Sequence, residues 1–314
     1  VTTAVVFGYG DVGIRCLATL LAQGVTVPLV VTHPDDPAEA LWYGSLARFA
    51  QERDIPVHLS ADADADELHA QLVALKPDLL FSFYYRRMLP QRLLAVPRSG
   101  AYNLHGSLLP QFRGRAPVNW VCVHGATQTG ASLHVMTAKP DAGALVDQMA
   151  VPVLPDDTAF EVFRKVCTAA ELVLARSLPA LRAGTAVLTP LDLAAGSYFG
   201  ARRPEDGQID WSWPAVRIHN LVRAVAPPFP PARTLVAAQT LFVHRSLCVA
   251  VVAPAGLSSP AMFAQGERIY ARCGDGGVLR LLEGRWGAAE QPLAALLPLL
   301  ARGPLPLTAA AAAS

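Results

Sequence analysis

Asn103 and His105 stand two residues apart in the stretch YNLHGSLLPQFRGRAPVNW, Tyr102 to Trp120. Side chains alternate along a strand, so the pair projects from one face. Asp141 stands in a second loop, AKPDAGALV, Ala138 to Val146. An amide, an imidazole and a carboxylate are the parts of an acyl-transfer site. The amide donates a hydrogen bond to a developing oxyanion. The imidazole moves protons near neutral pH. The carboxylate orients the imidazole and supports its charged form. No serine or cysteine nucleophile is needed when the acceptor is itself an amine. Each residue also has a plainer structural reading: a histidine at a strand end, and an asparagine or aspartate satisfying a turn.

Other motifs point elsewhere or nowhere. GYGDVG, Gly8 to Gly13, matches the dinucleotide pattern G-x-G-x-x-G between a strand and a helix. The acids that would complete it, Asp35 and Asp36, come slightly late. Glycines also serve any tight strand-to-helix turn. His33, His58, His69, His124, His134, His219 and His244 show no metal-ligand spacing with Cys or Glu, and no metal is expected. His134 sits in a strand-like run as a core or rim residue. There is no G-x-S-x-G and no phosphate-binding P-loop.

These residues need a scaffold, and the hydrophobic pattern supplies one. AVVF, VTVPLVVTH, IPVHL, DLLFSFYY and GAYNLHG read as strands. Helical patterns over 11–23, 38–53, 65–75 and 89–96 lie between them. The alternation predicts parallel β-α-β units with helices on both faces. In such a sheet, ligands bind beyond the carboxyl ends of the strands, where Asn103 and His105 stand. ASLHVM and ALVDQMAVPV add two strands, and 157–184 reads as one long helix with an acid- and threonine-bearing start. The texture changes near Gly200. A helix over 214–225 and a proline-rich break, APPFPPAR, precede short strand-like runs that suggest a small all-β barrel. The expected domains are 1–203, 204–304 and a low-complexity tail, 305–314, expected to be disordered.

At 314 residues and 52% hydrophobic, the chain is long enough for one large domain or two modest ones. The net charge of +1 gives no sign of a broad basic surface, so no nucleic-acid partner is expected. The five cysteines form no CxxC pair and read as buried reduced thiols, which fits a cytoplasmic location. TAVVFGYG is too short for a leader, and no apolar run reaches spanning length, so a soluble chain without a membrane span is expected.

NLHGSLLPQFRGRAPVNW followed by KPDAGALV resembles the N10-formyltetrahydrofolate-dependent formyltransferase family. The SLLP segment, Ser107 to Pro110, is a hallmark of that family. The likeness covers nearly the whole chain. FSFYYR (Phe81 to Arg86), RGRAPVNW (Arg113 to Trp120), FGARRPEDG (Phe199 to Gly207) and HNLVRAVAPPFP (His219 to Pro230) are similar to the ArnA-type branch. That branch formylates UDP-4-amino-4-deoxy-L-arabinose in lipid A modification and polymyxin resistance. The 314 residues leave no room for a decarboxylase half, so a free-standing formyltransferase is expected.

The resemblance implies an α/β fold: a Rossmann-like formyltransferase domain followed by a smaller OB-like β-barrel domain. It implies N10-formyltetrahydrofolate as co-substrate, no NAD, and a nucleotide-sugar partner. GYGDVG becomes a structural turn. Asn103 stabilises the oxyanion, His105 shuttles the proton and Asp141 holds His105. The folate segment corresponds to Arg87, Met88 and Leu89, with Arg115 on the donor side and Thr137, Ala138, Lys139, Pro140 and Asp141 as the other wall. RML here departs from the HLI-like wording of the branch, which matters little where backbone groups read the pterin. Arg202 and Arg203 are candidates for the nucleotide phosphates. Other acceptors stay open: another nucleotide-linked amino sugar such as a dTDP-4-amino hexose, or a methionyl-tRNA. A non-catalytic folate-binding protein is a further alternative. Nothing in the sequence specifies an oligomeric state.

Overall fold

A computed structural model of the protein describes residues 1–34, 42–60 and 62–307. Asp35, Asp36, part of the expected helix over 38–53, and 308–314 of the expected tail lie outside the described residues.

The first strand, β1 (Thr3–Gly8), is an apolar run buried from Ala4 on, as a central parallel strand requires. Helix α1 (Gly10–Ala22) follows with Val12, Cys16, Leu17 and Leu20 on its buried side. β2 (Thr26–Thr32) leads to α2 (Leu46–Gln51), β3 (Val57–Leu59), α3 (Asp66–Leu75), β4 (Leu79–Phe83), α4 (Gln91–Leu94) and β5 (Ala101–His105). α2 starts later than the sequence pattern suggests. Ser45 is extended, and its hydroxyl accepts from the Arg48 N–H at 3.4 Å, so it ends the non-helical stretch and caps the helix. Gly8 and Gly13 of the glycine motif pack under Leu46 of α2. A Cβ on either would come within 3.0 Å of the Leu46 Cδ2.

Next come β6 (Arg113–Gly114), α5 (Pro117–Val123), β7 (Gln128–Val135) and β8 (Leu145–Pro152). The main sheet has the order β3-β2-β1-β4-β5-β7-β8. β1 to β5 pair in parallel, whereas β7 runs antiparallel to both β5 and β8. The parallel pattern therefore ends at β5. α6 (Ala159–Ala183) is the expected long helix. Thr158 and Glu161 form a reciprocal cap: the Glu161 carboxylate accepts from Thr158 N at 2.7 Å, and Thr158 Oγ1 from Glu161 N at 3.3 Å. The two-residue strand β9 (Tyr198–Phe199) pairs in parallel with β6.

The chain divides into two compact units. The first comprises Val1–Pro117, Gln128–Pro152 and Phe163–Gly200; the second gathers Val118–Thr127, Val153–Val162 and the described residues from Ala201 on. The second unit therefore draws on three separate pieces of chain, which no single linear boundary expresses. It holds α7 (Ala215–Ala224), β10 (Ala232–Val236), β11 (Gln239–Val249), β12 (Ala261–Gln265), β13 (Arg268–Arg272), β14 (Val278–Trp286), β15 (Gln291–Pro292), α8 (Leu297–Leu300) and β16 (Leu305–Pro306). Its antiparallel sheet follows the path β10-β11-β14-β13-β12-β16, around a core that includes Trp211, Ile218, Val243, Met262 and Leu281. β10 and β11 form an antiparallel hairpin, with Ala232 opposite Val243. Cys16, Cys122, Cys167 and Cys273 are buried, but Cys248 is exposed. β10 pairs with β11 only as far as Val243, so the end of β11 that carries Cys248 is a sheet edge.

α7 explains the HNLVR motif. His219, 5% exposed, places Nδ1 3.1 Å from Ser246 Oγ and Nε2 3.1 Å from the Pro155 carbonyl. Arg223, also 5% exposed, donates to Asn220 Oδ1 at 2.8 Å and to the Asp157 carbonyl at 3.0 Å. Both side chains fasten the 153–162 segment to α7. Buried hydrogen bonds from a charged donor contribute about 1.5–3 kcal/mol each. Arg223→Met is therefore expected to lower unfolding stability by about 3 kcal/mol. Urea denaturation followed by fluorescence tests this, and an unchanged midpoint would show that the clamp contributes nothing.

Candidate active site

β5 and β7 build the floor of the site. Their antiparallel register sets Asn103 opposite His134 and His105 opposite Ser132. All four side chains therefore come from paired positions of neighbouring strands. His134 is 2% exposed, and its Nδ1 lies 2.9 Å from the Val135 carbonyl. A carbonyl oxygen only accepts, so Nδ1 carries the hydrogen and Nε2 is the acceptor. Nε2 takes a hydrogen bond from Asn103 Nδ2 at 3.1 Å. This fixes the Asn103 amide, since the reverse orientation would set its oxygen against a lone pair. The same Nδ2 lies 3.5 Å from Asp141 Oδ1, a long contact that leaves its second hydrogen available to a ligand.

His105 is 6% exposed. Its Nε2 lies 2.9 Å from the Phe112 carbonyl, so Nε2 holds a hydrogen. Nδ1 faces Asp141 Oδ1 at 3.6 Å and is the nitrogen left to take up a proton. Burial lowers the His105 pKa below the ordinary 6.5, against the opposing pull of the Asp141 charge and the Phe112 carbonyl. The ring is thus neutral near pH 7. Burial would raise the Asp141 pKa, but the charge that His105 gains on protonation and the Gly114 N–H outweigh it and bring the carboxyl down to about 2.

The awkward loop after His105 is held by β7 and β8. Ser132 Oγ accepts from Leu109 N at 3.1 Å and donates to the Ser107 carbonyl at 2.7 Å. Gln148 Nε2 donates to the Leu109 carbonyl at 3.2 Å. The loop then returns along β9, with Arg113 N on the Ser197 carbonyl at 3.0 Å and Arg115 N on the Phe199 carbonyl at 2.9 Å. Between them, the Gly114 N–H donates to Asp141 Oδ2 at 2.8 Å. Gly114 has φ +97°, and a Cβ there would strike the Phe199 carbonyl, so this position needs glycine on both counts. Asp141 itself has φ +48°, as does Tyr84 at +60° just after β4, the kind of backbone strain that collects at functional sites.

These groups open onto a cleft of about 700 Å³. Asn103, His105, Asp141, Arg87, Met88, Leu89, Arg115, Thr137, Lys139 and Pro140 all line it. Arg87, Met88 and Leu89 also line a neighbouring cavity of about 480 Å³, together with Ala138 and Pro140. Arg202 and Arg203 instead belong to the second unit. The Arg202 guanidinium lies 4.8 Å from the Trp120 ring centre and donates to the Asp206 carbonyl at 2.8 Å. Among the described residues, no group of three or more His, Cys, Asp or Glu could hold a metal ion. No described helix is long and apolar enough to cross a membrane.

Residues 4–178 match the formyl transferase family model, and residues 202–294 match that of the formyl transferase C-terminal domain. The chain belongs to the formyl transferase family. Similar solved structures include an N-formyltransferase from Helicobacter canadensis in complex with folinic acid and dTDP-3-aminofucose. It shares 17% identity at a TM-score of 0.72, covering 90% of this chain and 99% of that one. WlaRD, a sugar 3N-formyl transferase studied with dTDP and 5-N-formyl-THF, shares 15% at 0.70, covering 93% and 98%. A 4-N formyltransferase from Francisella tularensis shares 19% at 0.60, covering 73% and 90%. At these identities the likeness is one of fold.

In this formyltransferase, the motifs mark Asn103, His105 and Asp141, whereas His134 and Ser132 read from sequence only as strand residues and Gly114 and Tyr198 carry no chemical signal of their own. A signal for the first two was present: S-x-H on one strand has the same two-residue spacing as N-x-H on the other. What it lacked was the register that pairs them.

Proposed function

We propose that this formyltransferase transfers the formyl group of N10-formyltetrahydrofolate to the amine of a nucleotide-linked amino sugar. The observation that carries the reading is the His105–Asp141 pair: a buried neutral imidazole whose open nitrogen faces an ionised carboxylate, 3.6 Å away, with the Asn103 amide alongside. The neutral amine attacks the formyl carbon. Asn103 Nδ2–H stabilises the oxyanion that forms. His105 Nδ1 accepts the proton released by the nitrogen, and Asp141 supports the imidazolium. The proton passes to N10 of the folate as the carbon–N10 bond breaks, giving formamide and tetrahydrofolate. The residue types suit the donor. The backbone of Arg87 to Leu89 and the wall of Thr137 to Pro140 meet an apolar lining of Leu89, Leu94 and Met136, within the size range of small-ligand sites. Arg115 offers a cation at the rim.

The acceptor class is supported by two relatives of the same fold, an N-formyltransferase in complex with folinic acid and dTDP-3-aminofucose and a sugar 3N-formyl transferase with dTDP and 5-N-formyl-THF. The finer reading is UDP-4-amino-4-deoxy-L-arabinose, the ArnA-type acceptor, on the FSFYYR, RGRAPVNW, FGARRPEDG and HNLVRAVAPPFP stretches. The same resemblance implies OB-like closure of the second unit, and the cysteine usage fits a cytoplasmic enzyme. The test is a parallel mass-spectrometric assay of N10-formyltetrahydrofolate with UDP-4-amino-4-deoxy-L-arabinose, a dTDP-amino sugar and charged initiator methionyl-tRNA. A formyl mass gain on the UDP sugar is expected. A gain on the dTDP sugar alone would keep the chemistry and replace the acceptor. A gain on the tRNA alone, or on none, would overturn the sugar reading.

A further inference from the structure

Ser82 is the one polar residue of β4, LLFSF, a strand buried along its whole length. A central parallel strand reads as a continuous apolar run, so a hydroxyl within it calls for a partner. Ser82 is 6% exposed, and among the described residues its hydroxyl has no hydrogen-bond partner. The hydroxyls of Thr32, Tyr84 and Tyr85 are also unpartnered, but they are sealed from solvent. That of Ser82 opens onto the cleft, which Ser82 lines beside Asn103 and His134.

Its place on the sheet is specific. β4 and β5 pair in parallel with Ser82 opposite Asn103, so the two side chains share a face on strands about 4.8 Å apart. Phe81 and Phe83 take the other face, where their rings stack with centres 5.4 Å apart. Soon after β4 ends at Phe83, the chain reaches Arg87, Met88 and Leu89, the segment assigned to the pterin. All three line the same cleft as Ser82 and Asn103. A donor held at Arg87 to Leu89, with its formyl carbon at Asn103, lies across the β4–β5 pair and over Ser82.

We infer that Ser82 is a donor-binding residue whose hydroxyl hydrogen-bonds the formylated tetrahydropterin held above it. A reduced pterin and its formyl group carry N–H and carbonyl groups close together, and a hydroxyl both donates and accepts. The inference rests on the folate reading. It is tested on the full chain by fluorescence quenching with 5-formyltetrahydrofolate, by steady-state kinetics and by urea unfolding. Ser82→Ala is expected to weaken 5-formyltetrahydrofolate binding and raise the donor KM, each about fivefold, the worth of one hydrogen bond, with the acceptor KM held within about twofold. Ser82→Cys keeps the side-chain volume but only a weak donor, and should lose about as much. Neither variant should unfold at lower urea than the wild type, because no protein–protein hydrogen bond is removed. Unchanged donor affinity in Ser82→Ala, full affinity in Ser82→Cys, or a rise confined to the acceptor KM overturns the inference while the function stands. Earlier unfolding of Ser82→Ala also overturns it, since the hydroxyl would then serve the fold. Failure of the wild type to bind 5-formyltetrahydrofolate overturns both.

Discussion

His105→Ala lowers turnover by about 10³-fold, the upper middle of the range for losing a positioned acid–base group. Binding of 5-formyltetrahydrofolate, read by fluorescence quenching, stays close to wild type, because the side chain removed is the proton acceptor and not a wall of the donor segments. The pH profile carries more information than the loss alone. His105 works as a base only when neutral, and burial holds its pKa below 6.5. In the wild type, kcat/KM should therefore fall as the pH drops, with a midpoint below 6.5, and this limb should disappear from any residual activity of His105→Ala. Near-native turnover in the variant would remove His105 from the mechanism. A wild-type midpoint above 6.5 would mean that the Asp141 charge outweighs burial.

Asp141→Asn is the second substitution with a large expected effect. The amide is close in shape and its oxygen can still accept from the Gly114 N–H, so the loop should fold. It cannot support an imidazolium, and turnover should fall by about 10²-fold or more. Asp141 raises the His105 pKa, so its removal should move the acid limb of any remaining activity to lower pH. A shift to higher pH would contradict the assigned coupling. Stability gives an independent reading. The Asp141 pKa is depressed from 3.8 to about 2, so its contribution is present above pH 4 and is lost as pH falls toward 2. The side chain is 11% exposed, and the shift corresponds to about 2 kcal/mol. Urea unfolding across that window should show this loss in the wild type and not in Asp141→Asn. The neutral burial of His105 and His219 has the same sign at higher pH: stability present above 6.5 is lost as each histidine is forced to protonate.

Much of the first unit was legible because strand and helix periodicity are properties of neighbours along the chain. AVVF and LLFSF are short buried runs, and residues 101–105 carry Asn103 and His105 on one face. The same locality sets the limit. Within the described part of the helix expected over 38–53, α2 begins at Leu46, where the Ser45 hydroxyl caps the first turn.

For the site, residue chemistry and spacing made Asn103, His105 and Asp141 candidates, and the family resemblance set them above their plainer structural readings. Composition and pattern do not reveal which nitrogen of His105 is free, because that depends on the Phe112 carbonyl, brought back by a turn. Nor do they reveal that His134 orients Asn103, since β5 and β7 could pair in other registers with the same alternation, and a slip of one residue would turn His134 to the opposite face. Tyr198 reaches the cleft through two residues of parallel pairing with a strand more than eighty positions earlier. Chain neighbours specify which side chains share a face, through backbone geometry. Which faces meet depends on burial and hydrogen bonding summed over distant segments, and that sum is settled when the sheet closes around the cleft.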